Sequence, residues 1–482
     1  MMDLTHLISQ EDLISKRKNI KKVFFYRICG AGMGPAAVLL KQAGFDVEGA
    51  DSAFYPPMST FLETTKIPLH PLDKVTPEFL KQYDLIVVGN SVSGKIEAAR
   101  MIEKVGVPFT SFPSALGSLV LKDKNVIGIA GTHGKTTTTY FMTQLLEKLG
   151  QDPGYLVGGI IEGRDPSKLG KDYFVIESDE YDSAYFHKIS KFRLYELKNM
   201  ILTSLEFDHA DIFSSVEKIE DEFRAILNNV KSTLIFNQEY PSAMKLFHEY
   251  SKNSSQKWFL YGKGSNLGPH EIKTHENGSS FVINWKGENL LFETNVVGEH
   301  NVLNITSCLT YLLAEGFTVP ELKNAVSSLE MVKRRQEVRG QYKGMTVIDD
   351  FAHHPRAINV TLDAIRARFK GKKIITIFEP ISATARSSIF QNEFRDSLAA
   401  SDKVIIAKPN LATTALGGSD LNGELLAAEI NQKGKKAVCV HELTDLRQKI
   451  DEFTEDNSVL LILSNRTCLG LWESNFVQEL KA

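Results

Sequence analysis

The hydrophobic positions of this chain fall into two rhythms. Short apolar segments (VFFYRI at 23–28, DLIVVGN at 84–90, NVIGIA at 125–130, YFVIES at 173–178, MILTSL at 200–205) alternate with longer stretches of helical spacing. The same alternation returns after residue 340 in GMTVIDD, KKIITIF, DKVIIA, KAVCVH and SVLLIL. Apolar runs this short, without polar alternation, predict strands buried on both faces; strands separated by helices predict βαβ units and parallel sheets. FDVEGADS predicts a further strand ending at Asp51, and a polar, β-patterned excursion occupies about 256–297 before a helix from about 300. The predicted fold class is α/β in three domains: a Rossmann-like N-terminal domain, a P-loop ATPase-like central domain and a Rossmann-like C-terminal domain. Their expected limits are 23–122, 123–337 and 338–482, after an N-terminal extension of 1–22, with the basic KRRQEVRG at 333–340 as a hinge.

Composition narrows the function classes. A chain of 482 residues is long enough for roughly three domains. Its net charge of −3 gives no electrostatic reason to expect nucleic acid or an anionic membrane as partner. Residues 1–22 are polar, and no apolar run approaches the roughly 18 residues of a membrane span, so a cytoplasmic protein is expected. Cys29, Cys308, Cys439 and Cys468 are scattered without a C-x-x-C pair, as reduced structural thiols are.

The strongest chemical signal is NVIGIAGTHGKTTTTYFMTQLLEKLG at 125–150. A strand runs into Gly131-Thr132-His133-Gly134, and a helix opens on Lys135, Thr136 and Thr137. Glycines let backbone N–H groups face phosphate oxygens, the helix N-terminus adds positive dipole, Lys135 supplies a point charge and the Thr136 hydroxyl suits a magnesium ion. Only two residues separate the glycines, where the common phosphate loop has four. We read the segment as an ATP site.

Weaker signals stand at other predicted strand ends. CGAGMG at 29–34 places Gly30 and Gly32 in a turn before a helix, but Pro35 takes the place of the third fingerprint glycine. That turn fits a dinucleotide, with Asp51 on a ribose; it fits the diphosphate of a UDP-sugar; or it binds nothing. ESDEYD at 177–182 offers Glu177 as a carboxylate for magnesium, and LEFDHADIF at 205–213 sets His209 between aspartates, as a second metal would require. DDFAHHP at 349–355 repeats the pairing of acid and histidine.

Together these motifs resemble the Mur ligases, which build the peptide stem of the bacterial cell wall on a UDP-sugar. The resemblance spans roughly residues 23–465, and GTHGKTTT has that family's short loop. CGAGMG, YPPMST (55–60), ESDEYD, LEFDHADIF, GEHNVLN (298–304) and DDFAHHP are most similar to the branch that recycles murein peptides. The resemblance implies a UDP-sugar-binding first domain, an ATP-binding second and an acceptor-binding third. It implies Gly131 to Thr137 on the ATP phosphates, with Thr136, Glu177 and His209 on Mg2+, Asn301 at the adenine, Arg335 at the terminal phosphates and Asp350 at the ribose. Gly30, Gly32 and Asp51 would serve the UDP-sugar, with His353 and Arg386 also on the substrate side.

The implied reaction joins the lactyl carboxylate of UDP-N-acetylmuramate to the amine of a murein tripeptide, L-alanyl-γ-D-glutamyl-meso-diaminopimelate, through an acyl phosphate, with Lys135, Glu177 and His209 catalytic. Free L-alanine as acceptor, and a non-catalytic nucleotide-binding protein of the same fold, are the alternatives. Three departures bear on them. Ile381 in EPISAT stands where relatives have arginine, SNRTCLG at 464–470 replaces a glycine-rich loop, and Phe223 stands where several relatives carry a carbamylated lysine. Because Lys135 and Glu177 sit at polar strand ends, alanine at either is expected to lower turnover by orders of magnitude and leave the melting temperature near wild type.

Overall fold

The computed structural model describes residues 2–54, 58–159, 161–275, 277–411 and 419–481, so the first half of YPPMST lies outside the described residues. By internal contacts the chain divides into two compact units. One comprises 1–205, 219–261 and 307–325; the other comprises 206–218, 262–306 and 326–482.

The first unit contains two open sheets. β1 (Lys22–Tyr26), β2 (Asp46–Asp51), β3 (Leu69–Pro71), β4 (Leu85–Val88) and β5 (Phe109–Ser111) pair in parallel in the order 3-2-1-4-5. β4 reads LIVV with every residue buried, as a strand covered on both faces must be. The second sheet comprises β6 (Asn125–Ala130), β7 (Gly154–Leu156), β8 (Ser167–Lys168), β9 (Tyr173–Ser178), β12 (Asn199–Leu202), β13 (Thr233–Asn237) and β14 (Lys257–Tyr261). Its order is 14-13-12-6-9-7-8, parallel except for the β7–β8 pair. Between β9 and β12, β10 (Asp182–Ala184) and β11 (His187–Ser190) form an antiparallel hairpin.

The second unit contains β15 (His270–His275), β16 (Gly278–Trp285) and β17 (Glu288–Thr294), an antiparallel sheet whose residues alternate in burial. The excursion expected over 256–297 is thus shorter: its first apolar run, KWFLY, is β14 and extends the parallel sheet. The last sheet holds β18 (Glu337–Tyr342), β19 (Met345–Asp350), β20 (Lys373–Phe378), β21 (Lys403–Ala407), β22 (Lys436–Val440) and β23 (Ser458–Leu463), in the order 18-19-23-20-21-22. Only β18 is antiparallel. Its faces bury two apolar clusters, one around Ile348, Phe378 and Leu461 and the other around Val347, Ile377 and Leu460, so neighbouring residues serve opposite layers. Phe223, in the helix Val216–Leu227, is fully buried with its ring 5.1 Å from that of Phe192. A hydrophobic contact fills this position.

Candidate active site

The phosphate loop is built as its residues predict. β6 ends at Ala130, and the helix Lys135–Lys148 starts after Gly134, whose φ of 83° is left-handed. Gly131 has a φ of 132°, and a Cβ there would meet Thr203 Oγ1 at 2.5 Å and the Ser204 carbonyl at 2.7 Å. Both glycines are therefore required by backbone conformation. The loop rests on the end of β12. Ser204 Oγ accepts from the His133 amide (2.6 Å), and Thr203 Oγ1 donates to the carbonyls of Ala130 (3.0 Å) and His133 (2.5 Å). Thr203 and Ser204 escaped the sequence reading because hydroxyls at a strand end carry no motif.

Lys135 Nζ donates to the Gly131 carbonyl (2.6 Å) and lies 3.1 Å from Glu180 Oε2. Burial pulls the ammonium down, but the carboxylates of Glu180, Asp179 and Glu177 outweigh it and hold the group above the usual lysine range. Thr136 Oγ1 donates to Glu177 Oε2 at 3.2 Å, and Glu177 Oε1 accepts from the Gly158 amide at 2.6 Å. Lys135, Thr136 and Glu177 are thus brought together. Glu180, only 2% exposed, is the addition that the sequence reading missed. Its signal was the second glutamate of ESDEYD, which lies beyond β9 and has no strand register to assign it a direction.

The turn after β1 is braced by Asp51. Asp51 Oδ2 accepts from the Cys29 amide (2.9 Å) and Oδ1 from the Ser52 amide (2.7 Å), so the carboxylate shapes the turn. Gly32 faces the Phe112 ring, where a Cβ would come within 2.8 Å of Cζ, whereas a Cβ at Gly30 would meet nothing closer than 3.5 Å. Elsewhere in this unit a cavity of about 540 Å3 is lined by Asn90, Ser93, Lys95, Arg100, Tyr185 and Lys188.

In the second unit a cavity of about 550 Å3 brings Asn301 and Arg335 together with Asn295, Val296, Gln336 and Arg368. Asn301 Nδ2 donates to the Val297 carbonyl (2.9 Å), and the Arg335 guanidinium lies 4.8 Å from the centre of the Phe351 ring. Asp350 accepts from the amides of Gln336 and Ala352, both at 2.8 Å, so its oxygens are engaged in holding the cavity wall at Gln336. His300 approaches Gln336 Nε2 at 3.1 Å; burial first and then the charge of Arg335 push its imidazole down to about 4.

His209 belongs to the 206–218 segment of this unit. Its φ is 54°, and the amides of Ile212 and Phe213 donate to its carbonyl at 2.9 and 3.0 Å. His353 Nδ1 is 3.0 Å from the Phe351 carbonyl. Arg386 follows β20, and its backbone is anchored to Ser382 (2.9 Å) and Leu421 (2.7 Å).

The two sequence departures of this unit meet at one side chain. Glu379, the first residue of EPISAT and 2% exposed, accepts from Ser464 Oγ (2.5 Å) and from the amides of Cys468 (3.0 Å) and Leu469 (2.7 Å). Cys468 and Leu469 have φ of 56° and 50°, left-handed conformations that glycine would adopt without strain.

A short glycine loop between a parallel strand and a Lys-Thr helix, with three carboxylates around the lysine and one of them buried, defines a phosphate-handling α/β enzyme. Comparison with known proteins gives the family. The Mur ligase family catalytic domain matches residues 22–124, the Mur ligase middle domain 129–312, and the Mur ligase glutamate ligase domain 334–466. The chain is 35% identical over 402 residues to the Escherichia coli UDP-N-acetylmuramate–L-alanyl-γ-D-glutamyl-meso-2,6-diaminoheptandioate ligase, covering 80% of this chain and 85% of that protein. It is 30% identical over 436 residues to the UDP-N-acetylmuramate–L-alanine ligase of Lactococcus lactis subsp. cremoris, covering 89% and 92%. The crystal structure of a murein peptide ligase from Psychrobacter arcticus aligns with a TM-score of 0.66 at 28% identity, covering 94% of this chain and 97% of that one. The chain belongs to the Mur ligase family. It is an enzyme of that family's kind, a ligase that forms an amide bond at the expense of ATP.

Proposed function

We propose that this chain joins the lactyl carboxylate of UDP-N-acetylmuramate to the amine of L-alanyl-γ-D-glutamyl-meso-diaminopimelate, using ATP with Mg2+ in the cytoplasm. The observation that carries this reading is the 35% identity to the Escherichia coli tripeptide ligase over 85% of its length. Among the described residues no helix is long and apolar enough to cross a membrane, in keeping with soluble substrates.

Carboxylate is a poor electrophile, and phosphorylation by ATP converts it to an acyl phosphate that an amine can attack. Two anions must meet in that step, so electrostatics and positioning do most of the catalysis. Lys135 faces the phosphates, and the loop amides of 131–137 cradle them. The donors around the loop fit a hard divalent cation, being one hydroxyl and two carboxylates: Thr136, Glu177 and Glu180 would hold Mg2+, with His209 assigned to a second. Magnesium supplies charge neutralisation there. Asn301 and Arg335, which line one cavity, are assigned to the adenine and the terminal phosphates, and Asp350 to the ribose. Gly30, Gly32 and Asp51 serve the UDP-sugar, Asp51 also bracing the turn, and His353 and Arg386 belong to the substrate side. Domain limits near 122 and 337 belong to the same reading.

The second reading, L-alanine as acceptor, is favoured by one observation: the Lactococcus L-alanine ligase matches over a larger share of both chains, though at 30% identity. Coupled ADP release with UDP-N-acetylmuramate and either acceptor tests the assignment. Release with the tripeptide supports it; release with L-alanine alone replaces it.

A further inference from the structure

A cluster of metal-ligating side chains stands apart from the residues assigned to the ligase reaction. β22 is the edge strand of the last sheet, and Cys439 and His441, two positions apart, project to the same side of it. The helix Gly423–Gln432 packs on β22 and brings Glu424 of its first turn to the pair. His441 Nε2 lies 2.7 Å from Glu424 Oε1 and 4.0 Å from Cys439 Sγ, and the three ligand atoms all fall within 4.8 Å of one another. Gly423 makes room for the thiol, since a Cβ there would come within 2.6 Å of Cys439 Sγ.

The imidazole is held between two acceptors. Nδ1 lies 2.8 Å from the Lys408 carbonyl, which can only accept, so Nδ1 carries a proton and donates it. Nε2 faces a carboxylate, and that contact is favourable only if a second proton or a cation lies between them. A carbonyl behind the ring is the outer-shell partner that orients a metal-binding histidine. Tetrahedral zinc, at about 2.3 Å from sulphur and about 2.0 Å from nitrogen and oxygen, needs S···N and N···O edges of about 3.6 and about 3.3 Å. The present separations reach those with shifts of about half an ångström, within the reach of side-chain rotation.

We propose that Glu424, Cys439 and His441 form a binding site for a thiophilic divalent cation of the zinc class, with solvent as the fourth ligand. Binding exchanges protons for the cation, and those the ligand atoms held leave to solvent. The Glu424 carboxylate, the Cys439 thiolate and the Nε2 lone pair of a neutral imidazole together carry a charge of minus two, which the divalent ion neutralises. Burial and then the Glu424 carboxylate push the Cys439 thiol up to about 12, and the charge of Lys408, whose side chain passes beside the cluster, works against that rise. The site ties an edge strand to the helix that covers it, a stabilising role.

The test is a cobalt(II) titration of the full-length, reduced protein. Of the four cysteines only Cys439 is not buried, and the phosphate loop holds no thiol, so a thiolate-to-cobalt charge-transfer band reports this site alone. The wild type should gain that band at one equivalent and lose it to zinc. Cys439→Ser should lack the band, and His441→Gln should bind at least tenfold more weakly, with magnesium-dependent ligase turnover unchanged in both. Should Cys439→Ser fold poorly, zinc should instead protect wild-type Cys439 from alkylation. Absence of the band in the wild type, an equal band in Cys439→Ser, or alkylation indifferent to zinc would overturn the proposal.

Discussion

The ammonium of Lys135 sits 3.1 Å from Glu180 Oε2, with the two side chains 14% and 2% exposed. This pair changes what a lysine substitution does. Lys135→Ala takes the cationic partner away from a buried carboxylate, which costs on the order of 3–5 kcal/mol in comparable pairs. The expectation from sequence, that alanine at Lys135 leaves stability alone, is therefore replaced. Lys135→Ala should melt well below wild type, and Lys135→Ala/Glu180→Ala should recover most of that loss while remaining inactive. Calorimetry on the three proteins decides it; a single variant that melts with wild type refutes the pair's importance.

Glu180→Gln separates charge from shape. It keeps the side-chain volume and an acceptor for Lys135 but removes the negative charge assigned to magnesium, so turnover should fall about 100-fold or more. Raising magnesium should restore part of the rate. A variant with wild-type kinetics at limiting magnesium would remove Glu180 from the site.

How much of this was legible beforehand depended on what each residue's signal measures. Fully buried strands such as LIVV and SVLLIL announce themselves, because burial on both faces leaves no polar position. Lys135 and Thr136 were legible because backbone conformation ties them to two glycines. Asp51 and Asp350 read as ligand-binding carboxylates, and in the structure their oxygens also accept from main-chain amides. Sequence shows a carboxylate at a strand end and does not show which donors already surround it. The pairing of Glu379 with residues 464–469 was out of reach for the same reason, since it joins segments 85 or more residues apart.

That pairing yields a prediction of its own. Glu379→Gln places an NH2 group among three donors that need an acceptor, a loss of about 1–3 kcal/mol. The variant should show a raised KM for the peptide acceptor with the KM for ATP unchanged. Equal changes in both would mean that the 464–470 loop does not serve the acceptor.

The imidazole of His300 sets a pH dependence. Its folded pKa is pushed down to about 4 from 6.5, so between those values the unfolded chain binds a proton that the folded chain does not. Stability should therefore fall as pH drops from about 6.5 towards 4, by on the order of 1–2 kcal/mol at about pH 5, and level off below. Asp349, pushed up to about 6 by burial despite Arg334 and Arg339, works in the opposite sense. The comparison is accordingly wild type against His300→Gln in urea at several pH values. The variant should lose less stability on acidification; parallel curves would contradict the assignment.

The measurement that bears most directly on the central claim is a competition. UDP-N-acetylmuramate, ATP and magnesium are supplied with equal concentrations of the tripeptide L-alanyl-γ-D-glutamyl-meso-diaminopimelate and free L-alanine, and the products are separated by mass. Predominant formation of the UDP-N-acetylmuramoyl tripeptide is the expected result. Predominant formation of UDP-N-acetylmuramoyl-L-alanine would contradict it and make free L-alanine the acceptor.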